Sequence, residues 1–235
     1  MDNTKQKAIV LLSGGLDSAT ALALAISKGF DIVALTFDYG QRHKCEISSA
    51  REIASKYNIN HRILKLDLAQ FGHSALTTNI AIPKGKFRAD QIPVTYVPAR
   101  NTIFLSYALA LAEVESADFI YIGVNALDYS GYPDCRPEYI EKFQEMANLA
   151  TKRAVDGKPV IIEAPLINMT KAEVIRAGMN LKVDYSKTIS CYDPDSGGAA
   201  CGECDSCHLR REGFKEAGVA DPTRYVKIKA TVGSQ

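Results

Sequence analysis

Short, uninterrupted apolar runs alternate along the chain with longer segments in which apolar side chains recur at helical spacing. The runs are Ala8 to Leu12, Asp31 to Phe37, Arg62 to Leu66, Asp118 to Asn125 and Pro159 to Pro165. Such runs predict strands buried on both faces of a parallel sheet. Between them, Ala19, Leu22, Ala23 and Ile26 predict a helix that stops at Gly29. Further helices are predicted over Glu46 to Tyr57, the strongly apolar Thr102 to Ala112, and Tyr139 to about Ala154, the last burying Ile140, Phe143, Ala147 and Ala150. Thr170 and Glu173 form a capping box that opens a helix over Lys171 to Ala177, with Gly178 as its stop. Strand and helix alternating in this order predict an α/β fold, a doubly wound, mainly parallel sheet with helices on both faces. Leu68 to Gln91 breaks the rhythm. Around Pro83-Lys84-Gly85-Lys86 it reads as an exposed, mobile loop whose Lys84, Lys86 and Arg88 are more simply solvated charges than a triphosphate clamp.

Chemistry gathers where the first strand breaks. Ser13-Gly14-Gly15 follows the buried run, two glycines permit a positive-φ turn and close ligand approach, and Asp17 and Ser18 open the next helix. The unpartnered N–H groups of a helix start make such a turn an anion site. A Walker loop is excluded because no lysine and hydroxyl follow the last glycine, and the dinucleotide fingerprint because the third glycine is missing. Arg100, at the start of the next apolar helix, would face an anion held there. Phe37 stands at the carboxyl end of the second strand, where doubly wound sheets bind ligands, and is either a ligand contact or core. The segment from Ala126 to Glu138 supplies Tyr129, Tyr132, Asp134, Arg136 and Glu138, a plausible pocket wall.

Cys191, Cys201, Cys204 and Cys207 have the spacing C-x9-C-x2-C-x2-C. Four thiolates close a tetrahedral shell and leave no place for water, which points to a structural ion. Zinc is the leading candidate and an iron–sulfur cluster the alternative. With four sulfurs available, His208 is not needed as a ligand. The chain then divides into an α/β domain carrying the glycine turn over 1–185 and a cysteine knuckle with a packed helix over 186–235. Cys45 reads as a small buried residue, and Cys135 falls in the pocket wall.

Composition narrows the partners. With 235 residues, 46% apolar, and a formal net charge of +1, the chain offers no global pull toward nucleic acid or an anionic membrane and suits a small-molecule substrate. The opening MDNTKQK lacks the apolar core of a signal peptide, and no run is long enough to span a bilayer, so the expected setting is the cytoplasm. There, cysteines serve as metal ligands or free thiols rather than disulfides.

The phrases SGGLDS, FDYGQRH, VPARN, GVNALDYSGYPDCRPE and TISCYDPDSGGAACGECDSCHLRREGF resemble the QueC family of queuosine biosynthesis, within the N-type ATP pyrophosphatase (PP-loop) superfamily, from near residue 8 to near residue 226. APLINMTKAEVI resembles the superfamily without marking the substrate. The resemblance implies an adenine nucleotide alpha hydrolase-like fold. It implies ATP held by Leu12, Ser13, Gly14, Gly15, Leu16, Asp17 and Ser18, by backbone at Phe37 and by Arg100 on the phosphates, with Mg2+ near Asp17. Ser13, Asp17, Ser18 and Arg100 would carry the chemistry. The implied reaction is an ATP-dependent carbon–nitrogen ligation, 7-carboxy-7-deazaguanine and ammonia becoming 7-cyano-7-deazaguanine through adenylated acid and amide, with release of AMP and pyrophosphate. Asp134 or Glu138 would accept from the base edge, Arg136 would pair with the substrate carboxylate, and Tyr129 or Tyr132 would stack on the ring. The sequence carries no glutaminase half, so free ammonium or a partner supplies nitrogen. The family is commonly homodimeric, and no stable nucleic-acid partner is implied. Two other readings compete: a tRNA-thiolating PP-loop enzyme, which persulfide on Cys135 would favour, and a non-catalytic zinc-knuckle RNA-binding module with a decayed loop.

Overall fold

The computed structural model describes residues 5–85, 91–127 and 132–226. Five parallel strands form one sheet in the order β3-β2-β1-β4-β5: β1 Lys7–Leu11, β2 Asp31–Asp38, β3 Asn60–Lys65, β4 Phe119–Tyr121 and β5 Ile161–Glu163. Register is set by pairs such as Val10 with Ala34, Ile9 with Ile120 and Phe119 with Ile161. The sheet grows outward from β1 to β3, then resumes on the other side of β1 with β4. That reversal opens a crevice at the carboxyl ends of β1 and β4.

Alternation along the strands feeds two cores. Ile9 and Leu11 of β1, with Val33, Leu35 and Ile120, face helices α3 (Arg100–Val114) and α4 (Pro137–Ala150) through Leu105, Ala108, Leu109, Ile140 and Phe143. Ala8 and Val10, with Ile32 and Ala34, face α1 (Leu16–Ser27), α2 (Cys45–Lys56), α6 (Lys171–Asn180) and α7 (Asp205–Ala217). The doubly wound sheet covered on both faces is therefore the architecture that the alternating pattern predicts. No helix among the described residues is long and apolar enough to cross a membrane.

Four local expectations are corrected. Gly178 does not stop α6, which runs through it to Asn180. It is a packing glycine, because a Cβ there would stand 1.8 Å from the Tyr185 hydroxyl. That hydroxyl is shared with Thr20 Oγ1 at 2.8 Å. The strand expected to reach Asn125 ends at Tyr121; Ile122 still donates its N–H to the Glu163 carbonyl at 2.9 Å, and it, Val124 and Asn125 stay buried and line the crevice. The helix expected to reach Ala154 ends at Ala150, and Thr151 caps a separate short helix, α5 (Lys152–Val155), by accepting from the Ala154 N–H. The segment expected to be a mobile loop packs in part: Ala75, Leu76 and Ile82 are buried, and Ala75 donates to the Val94 carbonyl at 2.8 Å. Lys84 pairs with Asp193 at 3.3 Å and Glu203 at 3.4 Å. Lys86 and Arg88 lie outside the described residues.

Candidate active site

A cleft of about 210 Å³ lies at the reversal point, and the glycine turn after β1 forms its floor. Leu12, Ser13, Gly15, Leu16, Asp17 and Ser18 line it, while Gly14 turns away toward α2. Gly14 has φ +87°, and a Cβ there would sit 2.2 Å from the Glu46 carbonyl oxygen, so conformation and space both require glycine. Gly15 is extended and serves as N-cap of α1. The two serines knit the turn: Ser18 Oγ lies 3.0 Å from Ser13 Oγ and accepts from the Ser13 N–H at 3.2 Å. The first N–H groups of α1 lack intrahelical acceptors, and the residues that carry them line the cleft, an arrangement complementary to phosphate.

The turn is held from outside by later parts of the chain. Ser49 of α2 donates its hydroxyl to the Gly14 carbonyl at 2.8 Å, and the Ile189 N–H donates to the same oxygen at 3.0 Å. Lys171, first residue of α6, reaches Asp17 with Nζ–Oδ1 at 2.6 Å. Both ends of this ion pair are largely shielded, and removing one partner of such a pair costs roughly 3–5 kcal/mol. Lys171 was not singled out in the sequence, since the pairing joins residues 154 apart; its one signal was a lysine directly after a capping threonine.

Arg100 opens α3 and lines the cleft wall. Its guanidinium stays charged beside Tyr39, Tyr132 and Asp134, despite its burial. Burial pushes the Tyr39 hydroxyl up to about 12. Phe37 combines the two roles left open for it: it lines the cleft and stacks on Phe104 with centroids 4.1 Å apart. Glu46, another residue missed in the sequence, lines the cleft from the first turn of α2, and burial pushes its carboxyl up to about 7 against the opposing pull of Arg100.

The expected base-reading residues are dispersed. Tyr132 is buried in the cleft wall, with its hydroxyl 2.8 Å from Thr95 Oγ1. Asp134 is buried and does not line the cleft; its Oδ2 accepts from the Asn101 N–H at 2.9 Å, so it caps α3. Arg136 is exposed and donates from Nε to the Pro133 carbonyl, and Glu138 is exposed in the first turn of α4. Tyr129 lies outside the described residues. Cys135 does line the cleft, but burial pushes its thiol up to about 12, which keeps it protonated and a poor nucleophile.

Cys191, Cys201, Cys204 and Cys207 converge, all four buried, with sulfurs within 4.8 Å of one another. A tetrahedron with arms of about 2.3 Å has edges of about 3.8 Å. The Cys191–Cys204 and Cys201–Cys207 sulfurs are 4.0 Å apart, too far for disulfides and close to that edge. Backbone N–H groups of Asp193 and Cys201 donate to Cys191 Sγ, and those of Glu203 and Cys204 to Cys201 Sγ. Charge-stabilising donors around four clustered sulfurs fit zinc. Cys191, with Ile189, Ser190 and Tyr192, also forms a cleft wall. Buried Arg210 of α7 fixes that wall, donating to the Tyr185 carbonyl, Thr188 and Ser190 while pairing with Asp221 at 3.2 Å.

A family model described as queuosine biosynthesis protein QueC matches residues 7–218. A 7-cyano-7-deazaguanine synthase from Desulfatibacillum aliphaticivorans is 58% identical over 227 residues, covering 94% of this chain and 97% of that protein. One from Paramagnetospirillum magneticum is 61% identical over 224 residues, covering 93% of this chain and 98% of that protein.

Proposed function

The chain belongs to the QueC family of queuosine biosynthesis proteins, and from that membership and the geometry of the cleft we propose that it converts 7-carboxy-7-deazaguanine, ammonia and ATP to 7-cyano-7-deazaguanine, AMP and pyrophosphate. The observation that carries this reading is the Ser13–Ser18 turn at the sheet's reversal point, which lines the same cleft as Arg100.

A carboxylate does not expel its oxygen at neutral pH, so the oxygen must first become part of a leaving group. The substrate carboxylate attacks the α-phosphorus, and the N–H groups opening α1, the Ser13 and Ser18 hydroxyls and Arg100 stabilise the departing pyrophosphate. Asp17 is the carboxylate we assign to Mg2+, which supplies further charge neutralisation when bound. Ammonia displaces AMP to give the amide. The amide oxygen attacks a second ATP, and expulsion of the second AMP leaves the nitrile. The backbone near Phe37 receives adenine, and Tyr132 offers its ring to the deazaguanine. Cys191, Cys201, Cys204 and Cys207 hold a structural zinc that takes no part in these steps. We place the reaction in the cytoplasm, where free thiols persist. Exposed Tyr107 and Val114 on α3 and Met146 and Leu149 on α4 support a homodimer, which light scattering at the monomer mass of 25.6 kDa would contradict.

Incubation with 7-carboxy-7-deazaguanine, ammonium, ATP and Mg2+, followed by mass spectrometry, tests the assignment. The expected products are the nitrile and two AMP per nitrile. ADP in place of AMP, or no nitrile, overturns it.

A further inference from the structure

We propose that Glu46 is the proton acceptor of the cleft, taking up the protons that nitrogen sheds as ammonium becomes a nitrile; the inference rests on the reaction proposed above. Ammonium enters with four N–H bonds and the nitrile nitrogen leaves with none. One proton departs when ammonium becomes nucleophilic ammonia, a second when the tetrahedral adduct collapses to the amide. The last two are lost as the adenylated amide expels AMP. Each transfer forms an O–H bond on a carboxylate as an N–H bond breaks, and the carboxylic acid then returns the proton to solvent before the next. Such a group must sit in the cleft, be free of fixed partners, and hold a proton only weakly at neutral pH.

Among the described residues, two carboxylates line the cleft, Asp17 and Glu46. Asp17 is tied to Lys171 at 2.6 Å. The Glu46 carboxylate makes no hydrogen bond within the described residues, and the residue lines the cleft. The backbone of Glu46 presses on Gly14, which places the residue beside the phosphate turn where the adenylates form. Of the other groups lining the cleft, Arg100 from α3 and Arg42 are guanidinium groups with no acceptor lone pair, and Tyr39, Tyr132 and the Cys135 thiol hold their protons more tightly through burial. His43 Nε2, 3.6 Å from Asp193 Oδ1 and without a hydrogen-bond partner among the described residues, is the competing acceptor, which His43→Asn tests beside Glu46→Gln. Burial brings Glu46 itself to about 7, where it can both take and release a proton.

The test compares the full-length wild-type chain with Glu46→Gln and Glu46→Asp in two assays. Carboxylate-dependent exchange of labelled pyrophosphate into ATP, without ammonium, reads adenylation alone. Amide and nitrile formation at constant free ammonia, from pH 5.5 to 8.5, reads nitrogen transfer. The expected result is exchange by Glu46→Gln within about threefold of wild type and amide formation slowed about 10²- to 10³-fold. Wild-type transfer should rise with pH through a midpoint near 7, a limb that Glu46→Gln loses and Glu46→Asp partly restores. Transfer by Glu46→Gln within threefold of wild type, an unchanged pH limb, or equal loss of exchange and transfer overturns the proposal; the last would make Glu46 a nucleotide or metal ligand. Absence of both activities in the wild type would instead refute the reaction on which the inference rests.

Discussion

Individual side chains show how poorly single letters reveal their duties. Gly178 looks like a helix stop because glycine commonly ends helices, yet its role is to admit the Tyr185 hydroxyl against α6. Gly→Ala within a helix ordinarily stabilises by about 1 kcal/mol. Here Gly178→Ala should lower the thermal midpoint, with a loss of roughly 1–3 kcal/mol from overpacking. Adding Tyr185→Phe should recover part of it, because the hydroxyl is the nearest clashing atom and the ring carbon behind it lies at 2.7 Å. Calorimetric melts of the single and double variants check this; additive losses would contradict the packing account. Lys171 and Glu46 were illegible for a different reason. Both stand against the Ser13–Ser18 turn, Lys171 through Asp17 and Glu46 through its backbone beside Gly14, by way of segments far apart in the chain. The same dispersal moved Asp134 from a presumed base reader to a helix cap.

At the scale of elements, legibility followed burial. The central strands β1 and β2, covered on both faces, appear as apolar runs, whereas edge strand β3 has no buried residue and shows only through Ile63 and Leu64; the β4 run overshot because Val124 and Asn125 are buried at the cleft beyond the strand's end. The glycine turn and the four-cysteine spacing were also plain, since both depend on contiguous letters. What the letters did not reveal is that the two are joined. The chain leading to Cys191 donates from Ile189 to Gly14, and Arg210 of α7 clamps that same stretch. Metal loss should therefore reach the proposed nucleotide site. Elemental analysis should find about one zinc per chain, and its removal by chelator should lower the melting temperature and weaken ATP binding about tenfold or more. A metal-free chain that binds ATP with unchanged Kd would contradict this coupling.

For the whole molecule, the sheet's reversal at β1 and β4 places the phosphate turn, Arg100, Glu46 and the knuckle around one cleft. The near-neutral charge of the chain suits this concentration of function in one pocket rather than across a surface. The central claim is that the substrate's own oxygen is transferred to phosphorus in that cleft, twice for each nitrile formed. The most direct measurement uses 7-carboxy-7-deazaguanine labelled with 18O in both carboxylate oxygens and locates the isotope by mass spectrometry after turnover. The account predicts two AMP per nitrile, each carrying one 18O, and unlabelled pyrophosphate. Label released into water or inorganic phosphate, with unlabelled AMP, would contradict it.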